Sequence, residues 1–263
     1  MSRTLRPLVL ATSSLLAAAS LAAVPLAAQD PWRNVVTVEA RAGRDALTNG
    51  VSAWQDQGAS LRYSASNRAG VGVSAERLQR FGMEDRRATA ELSMALGRWV
   101  TVGVDGEASD THLMVPRQGG AAQLHLALPG SWGLNLRGAL RRYDDNNVRG
   151  GSAAVEKYWG NSMLSYTATP VQLAKLDPVV THSARYAYFF GDRGSFTLQG
   201  SVGKEVEALM ATGPLVAPVR SVGAWGALPV APHLALTWAG DLSQHEGFFT
   251  RKRAQVGVRV TSR

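Results

Sequence analysis

The sequence predicts an all-β chain that crosses a membrane as a closed, antiparallel up-and-down barrel of about fourteen strands, with twelve the alternative count. Three features predict it. Apolar and polar residues alternate with period two along nearly the whole chain after residue 28. Tight and loose turns follow one another in regular order, and one face of the alternating segments carries too many ions for a dry core.

Composition narrows the alternatives. Of 263 residues only 18% are charged, below the ~25% usual in soluble globular chains, although 45% are hydrophobic. The absence of cysteine excludes disulfide scaffolds, thiolate nucleophiles and Cys-ligated metal centres. One long apolar run exists, at the N-terminus. Arg3 and Arg6 precede an Ala/Ser/Leu-rich stretch that ends at Ala28, before Gln29-Asp30. A basic start, an apolar middle and small residues before a polar boundary describe a secretory signal peptide over 1–28, leaving 29–263 as the barrel domain. An uncleaved membrane helix is the alternative, and the small residues with Pro25 favour cleavage. No later segment reaches the ~18 uninterrupted apolar residues of a spanning helix.

The strand pattern is explicit. From Arg87 to Leu96, Ala88, Ala90, Leu92, Met94 and Leu96 share one face, against Arg87, Thr89, Glu91, Ser93 and Ala95. Val100, Val102 and Val104 then oppose Thr101 and Asp105, Leu124 and Leu126 oppose Gln123 and His125, and Leu134 and Leu136 oppose Asn135 and Arg137. The last segment sets Ala254, Val256, Val258 and Val260 against Arg253, Gln255, Arg259 and Thr261. Tight turns are predicted at Ser66–Gly70, Gly97-Arg98, Pro129–Trp132, Trp159–Ser162, Gly191–Gly194 and Pro229–Pro232. Looser links are predicted at Leu47–Ser52, Phe81–Asp85, Asp110–Gln118, Tyr143–Asn147, Leu173–Pro178, Ala211–Pro218 and Ser243–Phe249. That order puts both termini on the tight-turn side, as in outer-membrane barrels.

A soluble β-sandwich also alternates. It would need bulky inward residues, whereas here the apolar face is rich in Ala, Val and Leu, and Trp99, Trp132, Tyr158, Trp159, Tyr188, Phe189 and Phe190 crowd near tight turns. The charged face carries Arg41, Arg62, Glu76, Arg87, Glu91, Asp105, Glu107, Arg137, Glu156, Arg185, Asp241, Arg253 and Arg259, together with Glu39 and Glu205. These are expected to line a wet lumen and pair across it. Glu91, Asp105, Glu107 and Arg87 are read as a salt-bridge ladder in preference to an acid/base couple or calcium ligands.

Several stretches carry a resemblance to a known family. Glu76-Arg77-Leu78-Gln79-Arg80-Phe81-Gly82-Met83-Glu84-Asp85 resembles the E-R-x-x-R-F-G-x-x-D signature of the YaiO family of outer-membrane barrels. Tyr158-Trp159-Gly160-Asn161 is similar to its Y-W-G-N turn, and Arg185–Asp192 to its R-Y-x-Y-F-G-D segment with one extra aromatic. Gly203–Glu207 is similar to a following glycine–acidic stretch, and the resemblance runs over roughly residues 34–263. It implies location in the bacterial outer membrane and a barrel fold, and it supplies no catalytic residues. Such barrels commonly end in an aromatic residue that resembles an assembly signal. This sequence ends Val260-Thr261-Ser262-Arg263 with the alternation intact, and is read as a variant terminus.

Candidate chemistry is sparse. His182-Ser183 is an adjacent pair, but neighbours on a strand point to opposite faces and cannot share a proton without a bulge. His125 is read as a wall residue, and His112 and His245 as loop residues. Arg80, Glu84, Asp85 and Arg86 are placed at an outer loop, where they could fix a loop inward. Phosphate-cradling, H-E-x-x-H and G-x-S-x-G motifs are absent. No cofactor or metal is expected. The net charge of +8 is interleaved with acids and does not read as a nucleic-acid surface; it suits anionic solutes in a pore or lipopolysaccharide phosphates outside. Expected partners are outer-membrane lipid, lipopolysaccharide and the barrel-assembly machinery, with the oligomeric state open and a monomer favoured. The expected function is a non-catalytic envelope structural or channel component, with surface polysaccharide export as a special case. A deacylase- or phospholipase-type barrel enzyme is the alternative.

Overall fold

A computed structural model describes residues 34–262 apart from 49, 51, 67, 145, 174–175 and 209–213, so the predicted signal peptide lies outside the described residues. Fourteen strands form: β1 (Val35–Leu47), β2 (Trp54–Ser66), β3 (Ala69–Arg80), β4 (Met83–Leu96), β5 (Val100–Ser109), β6 (Gln118–Leu128), β7 (Trp132–Arg142), β8 (Asn147–Trp159), β9 (Ser162–Leu173), β10 (Val179–Phe190), β11 (Gly194–Ala208), β12 (Pro214–Ala231), β13 (Leu234–His245) and β14 (Phe249–Thr261). Each pairs antiparallel with its sequence neighbours, and β1 closes on β14 with Glu39 opposite Arg259. Closure gives every strand two partners, which a hydrocarbon surround requires of backbone N–H and C=O groups.

The alternation read from the sequence becomes an outside and an inside. Leu92 is 54% exposed and Val256 67%, and Val38, Leu61, Val73, Leu136 and Leu198 are also exposed on the outward face. A soluble sandwich would have sealed these side chains in a core. Among the described residues, buried apolar clusters occur toward the loop end: Met114 against Phe81 and Met83, and Leu173 with Val179 against Val148, Val171 and Leu176. An arginine at the mid-wall outward position is therefore expected to cost about 2–4 kcal/mol. Leu92→Arg should lower the temperature at which the folded band disappears on heat-modifiable gels. Thr89→Arg, on the inward face of the same strand and opposite Glu107, should leave it within a few degrees.

Three links differ from expectation. Ala211–Pro218 was expected to be loose, but β12 already begins at Pro214 and residues 211–213 lie outside the described residues. Two others are shorter than expected. Phe81–Asp85 and Ser243–Phe249 were expected to be loose. Instead β3 and β4 are joined by Phe81-Gly82 alone, and β13 and β14 by residues 246–248. Phe81 and Gly82 both have positive φ (54° and 76°), the two-residue geometry whose twist suits a hairpin. Phenylalanine is an unusual occupant of that position, so the sequence does not advertise the turn.

The aromatic residues near turns also divide. Trp132, Trp159 and Tyr188 are exposed on the outward face and Trp99 is exposed on the turn between β4 and β5, with Arg98 stacked over Trp99 and Lys157 over Trp132. Tyr158 sits at an inward position and donates its hydroxyl to Glu156 at 2.6 Å. Phe189 is likewise at an inward position.

Candidate functional site

The inward face of the barrel carries rows of ions joined across strands. One chain of alternating charge runs over five strands. Arg41 of β1 and Arg87 of β4 both bond Glu76 of β3. Arg87 also reaches Glu107 of β5 at 3.2 Å, and Glu107 accepts from Arg141 of β7 at 2.5 Å. Below it, toward the turns, Arg62 bonds Glu91 at 2.5 Å; Arg137 bonds Asp105 at 2.7 Å. At the seam, Arg259 bonds Glu39 at 2.8 Å, while Arg253 bonds Asp56 at 3.2 Å and approaches Asp45 at 3.8 Å. Arg251 meets Asp241 at 3.4 Å. On the remaining wall Glu156, nearly fully buried, gathers Arg185 at 3.5 Å, His125 at 3.8 Å and the Tyr158 hydroxyl. Each of the thirteen charged residues singled out in the sequence thus stands on the inward face with an opposite charge beside it.

Many of these bonds join strands that are not neighbours, and glycine explains how. Arg41, Gly58 and Glu76 occupy one register row, and so do Arg62, Gly72 and Glu91, and Glu107, Gly119 and Arg141. Gln255, Gly43 and Asp56 form a fourth row, closed by a 3.0 Å bond from the Gln255 amide to Asp56. In each row the middle strand offers no side chain, so the flanking groups meet above its backbone. A Cβ on Gly119 would lie 2.8 Å from Glu107 Oε1 and 3.1 Å from Arg141 Cγ, and one on Gly72 would lie 2.7 Å from Glu91 Oε1. Gly119→Val is expected to separate Glu107 from Arg141 and destabilise the barrel by about 1–3 kcal/mol, read as a lower unfolding midpoint in urea. Gly106→Val, on the outward face of the adjacent strand where a Cβ has room, should be near neutral. Sequence reasoning passed over these glycines, although their parity with the charged positions was available as a signal.

The mouth at the loop end is narrowed. Asp85 is fully buried and accepts three backbone N–H groups: Leu113 at 2.9 Å, Met114 at 2.5 Å and Val115 at 2.9 Å. The link between β5 and β6 is thereby held inward, with Met114, Val115 and Pro116 buried. Around it, Arg80 lies over Trp54, and Trp54 packs edge-on against Phe81 and Phe249. Tyr143, on the link between β7 and β8, is buried, and that burial raises its phenol above the ordinary value, keeping it neutral. Of the residues expected to fix a loop inward, Asp85 does so and Arg80 joins the aromatic cluster. Glu84 and Arg86 stand on the outer side, where Glu84 bonds Arg77 at 2.6 Å and Arg86 at 3.5 Å. Asp45, Asp56 and Arg251 were not singled out in the sequence; they lie on the inward parity near strand ends, where the alternation is hard to phase.

His182 is on the outward face, bonded to the Tyr166 hydroxyl at 2.8 Å, and Ser183 is on the inward face. The surplus of basic charge is not in the lumen. Inward arginines are closely matched by carboxylates. Arg44, Arg77, Arg86, Arg142, Arg149 and Lys252 instead occupy outward positions toward the loop end.

Comparison with known proteins agrees with this architecture. The YaiO membrane beta barrel domain matches residues 36–208, from β1 through β11, a shorter span than the 34–263 over which the motifs resemble that family. No curated protein matches the chain. Among solved structures, a CymD monoaromatic hydrocarbon channel aligns over 87% of this chain and 88% of its own, with a TM-score of 0.59 at 9% identity. A bacterial polysaccharide outer membrane secretin aligns over 88% and 99%, with a TM-score of 0.54 at 9% identity. Acinetobacter baumannii OccAB4 aligns over 89% and 98%, with a TM-score of 0.50 at 9% identity. At such identities the shared property is the barrel fold.

Proposed function

The chain belongs to the YaiO membrane beta barrel family, and from that premise we propose that it is a non-catalytic channel of the bacterial outer membrane. Export uses the signal peptide at 1–28, insertion uses the barrel-assembly machinery, and the closed sheet functions as a monomer. The observation that carries the channel reading is the polar wall: arginines and carboxylates pair along the lumen, and the 113–115 segment narrows its outer mouth without being covalently tied there. A wall of balanced charge selects weakly by sign, so the solutes it suits are neutral or zwitterionic and rich in hydroxyls, saccharides included. Export of surface polysaccharide is the special case of that chemistry.

Planar-bilayer recording of the purified full chain tests the proposal. Small ohmic steps are expected, with cation and anion permeabilities within about twofold of each other. Liposome swelling should report passage of mono- and disaccharides. Silence in both assays, from the parent and from a variant with the mouth released, overturns the channel. A change in acyl-chain profile when the protein is incubated with lipid A or phospholipid would overturn the non-catalytic assignment.

A further inference from the structure

We propose that the loop end of the outward face binds a phosphate-bearing, multiply acylated glycolipid of the surrounding leaflet. Its phosphate rests on Arg77 and Arg86, and one acyl chain lies in an apolar groove directly below them.

The outward surface has two ends of unlike chemistry. Toward the turns it presents rings, among them Tyr63, Trp132, Trp159, Tyr186 and Tyr188. Among the described residues, outward strand positions of the loop-side half hold no Phe, Tyr or Trp; guanidinium, ammonium and amide groups stand there instead. Aromatic rings suit an ordinary lipid–water boundary, whereas arginines at the same height suit a leaflet whose headgroups carry phosphate. One barrel therefore faces two leaflets of different composition.

The groove lies within the basic half. Ala40, Ala59, Ala75, Ala88 and Ala108 are register partners in one unbroken row across β1 to β5. Methyl groups there recess the wall, leaving a depression of about 1250 Å³ edged by Leu236, Val256 and Val258. Arg77 and Arg86 close its loop-ward side and are themselves register partners, with side chains 56% and 68% exposed. Glu84 sits between the two guanidiniums and holds them together, and Asp110 also borders the groove. One shared carboxylate leaves most of their donors free for a phosphate, which arginine can engage in bidentate fashion. An apolar slot with cationic donors at its polar end is the complement of an acyl chain beneath a phosphorylated sugar. Arg44 and Lys252, on the adjoining strands β1 and β14, add positive charge beside it.

The assignment rests on the barrel's lying in a bilayer with its loops toward the phosphate-bearing leaflet, and not on conduction. Native mass spectrometry of the full chain in detergent tests it, using bisphosphorylated hexaacyl lipid A, its dephosphorylated form and phosphatidylglycerol as probes. Heat-modifiable migration verifies the closed barrel in every sample. Retention of bisphosphorylated lipid A is expected over the other two probes. R77Q/R86Q should weaken it about tenfold. A75L/A88L, which fills the groove with apolar atoms, should also weaken it, whereas R98Q/R193Q at the turn end should not. Equal retention of the dephosphorylated form, preference for phosphatidylglycerol, or parent-like binding by both groove variants overturns the site. Any of these results with a conducting parent leaves the channel reading intact, and failure of the parent to migrate as a closed barrel removes the membrane premise itself.

Discussion

Asp85→Ala is expected to raise single-channel conductance severalfold. The carboxylate accepts three successive backbone N–H groups at 113–115, and of these residues Met114 and Val115 are withdrawn from solvent while Leu113 is exposed. Bonds to an ionised acceptor are worth about 1.5–3 kcal/mol each, and a buried donor left without a partner costs about as much again. Two buried donors without an acceptor cannot stay where they are. The segment should swing out to water, taking Met114 from its contacts with Phe81 and Met83 and widening the mouth. The barrel wall does not depend on that segment, so the folded band on heat-modifiable gels should persist. Asp85→Asn, which keeps one carbonyl acceptor, should fall between parent and alanine variant. An alanine variant that folds as a barrel and conducts like the parent would show that the link does not set the constriction.

The second large effect concerns selectivity. E76Q/E107Q removes both carboxylates from the five-strand chain and leaves Arg41, Arg87 and Arg141 with no anion among them. Removing one partner of a well-buried ion pair costs about 3–5 kcal/mol, so the urea midpoint should fall markedly. In the variant that still folds, reversal potentials across a KCl gradient should move from near parity to a severalfold preference for chloride. The preference should shrink as ionic strength rises and the Debye length shortens. The single variant E107Q, which frees Arg141 but leaves Arg87 on Glu76, should shift the potential by a smaller amount in the same direction. A cation-preferring shift would contradict the placement of these arginines on the conduction path.

Much of the wall is legible in the sequence. Strand β4 is the clearest case, because Leu92 and Glu91 differ in exposure as period two demands. The same period marks which glycines share the charged face, but it does not say that Gly58 lies between Arg41 and Glu76. That fact belongs to register, which is set here by the β1–β2 link and by the β2–β3 turn with its register shift between Ser64 and Ser66, and period two carries no record of either. Asp85 was noticed at the loop end but its partners were not, since residues 113–115 lie about thirty positions away and meet it only when an irregular segment folds back. The sorting of basic charge to the outside was hidden for a related reason. Composition records a surplus, and only the phase of each strand end assigns it to a face.

The shortness of the links bears on how a cell would display this protein. The longest is the eight-residue stretch Asp110–Arg117, and it is tucked into the mouth. With the loops outermost, little of the polypeptide rises above the sugar layer of the envelope. Surface-shaving proteases, antibodies and phage tail fibres would find few handles on intact bacteria. Serological detection would then require stripped or permeabilised cells, and an epitope tag meant for the cell surface would have to be inserted into a link other than the tucked one.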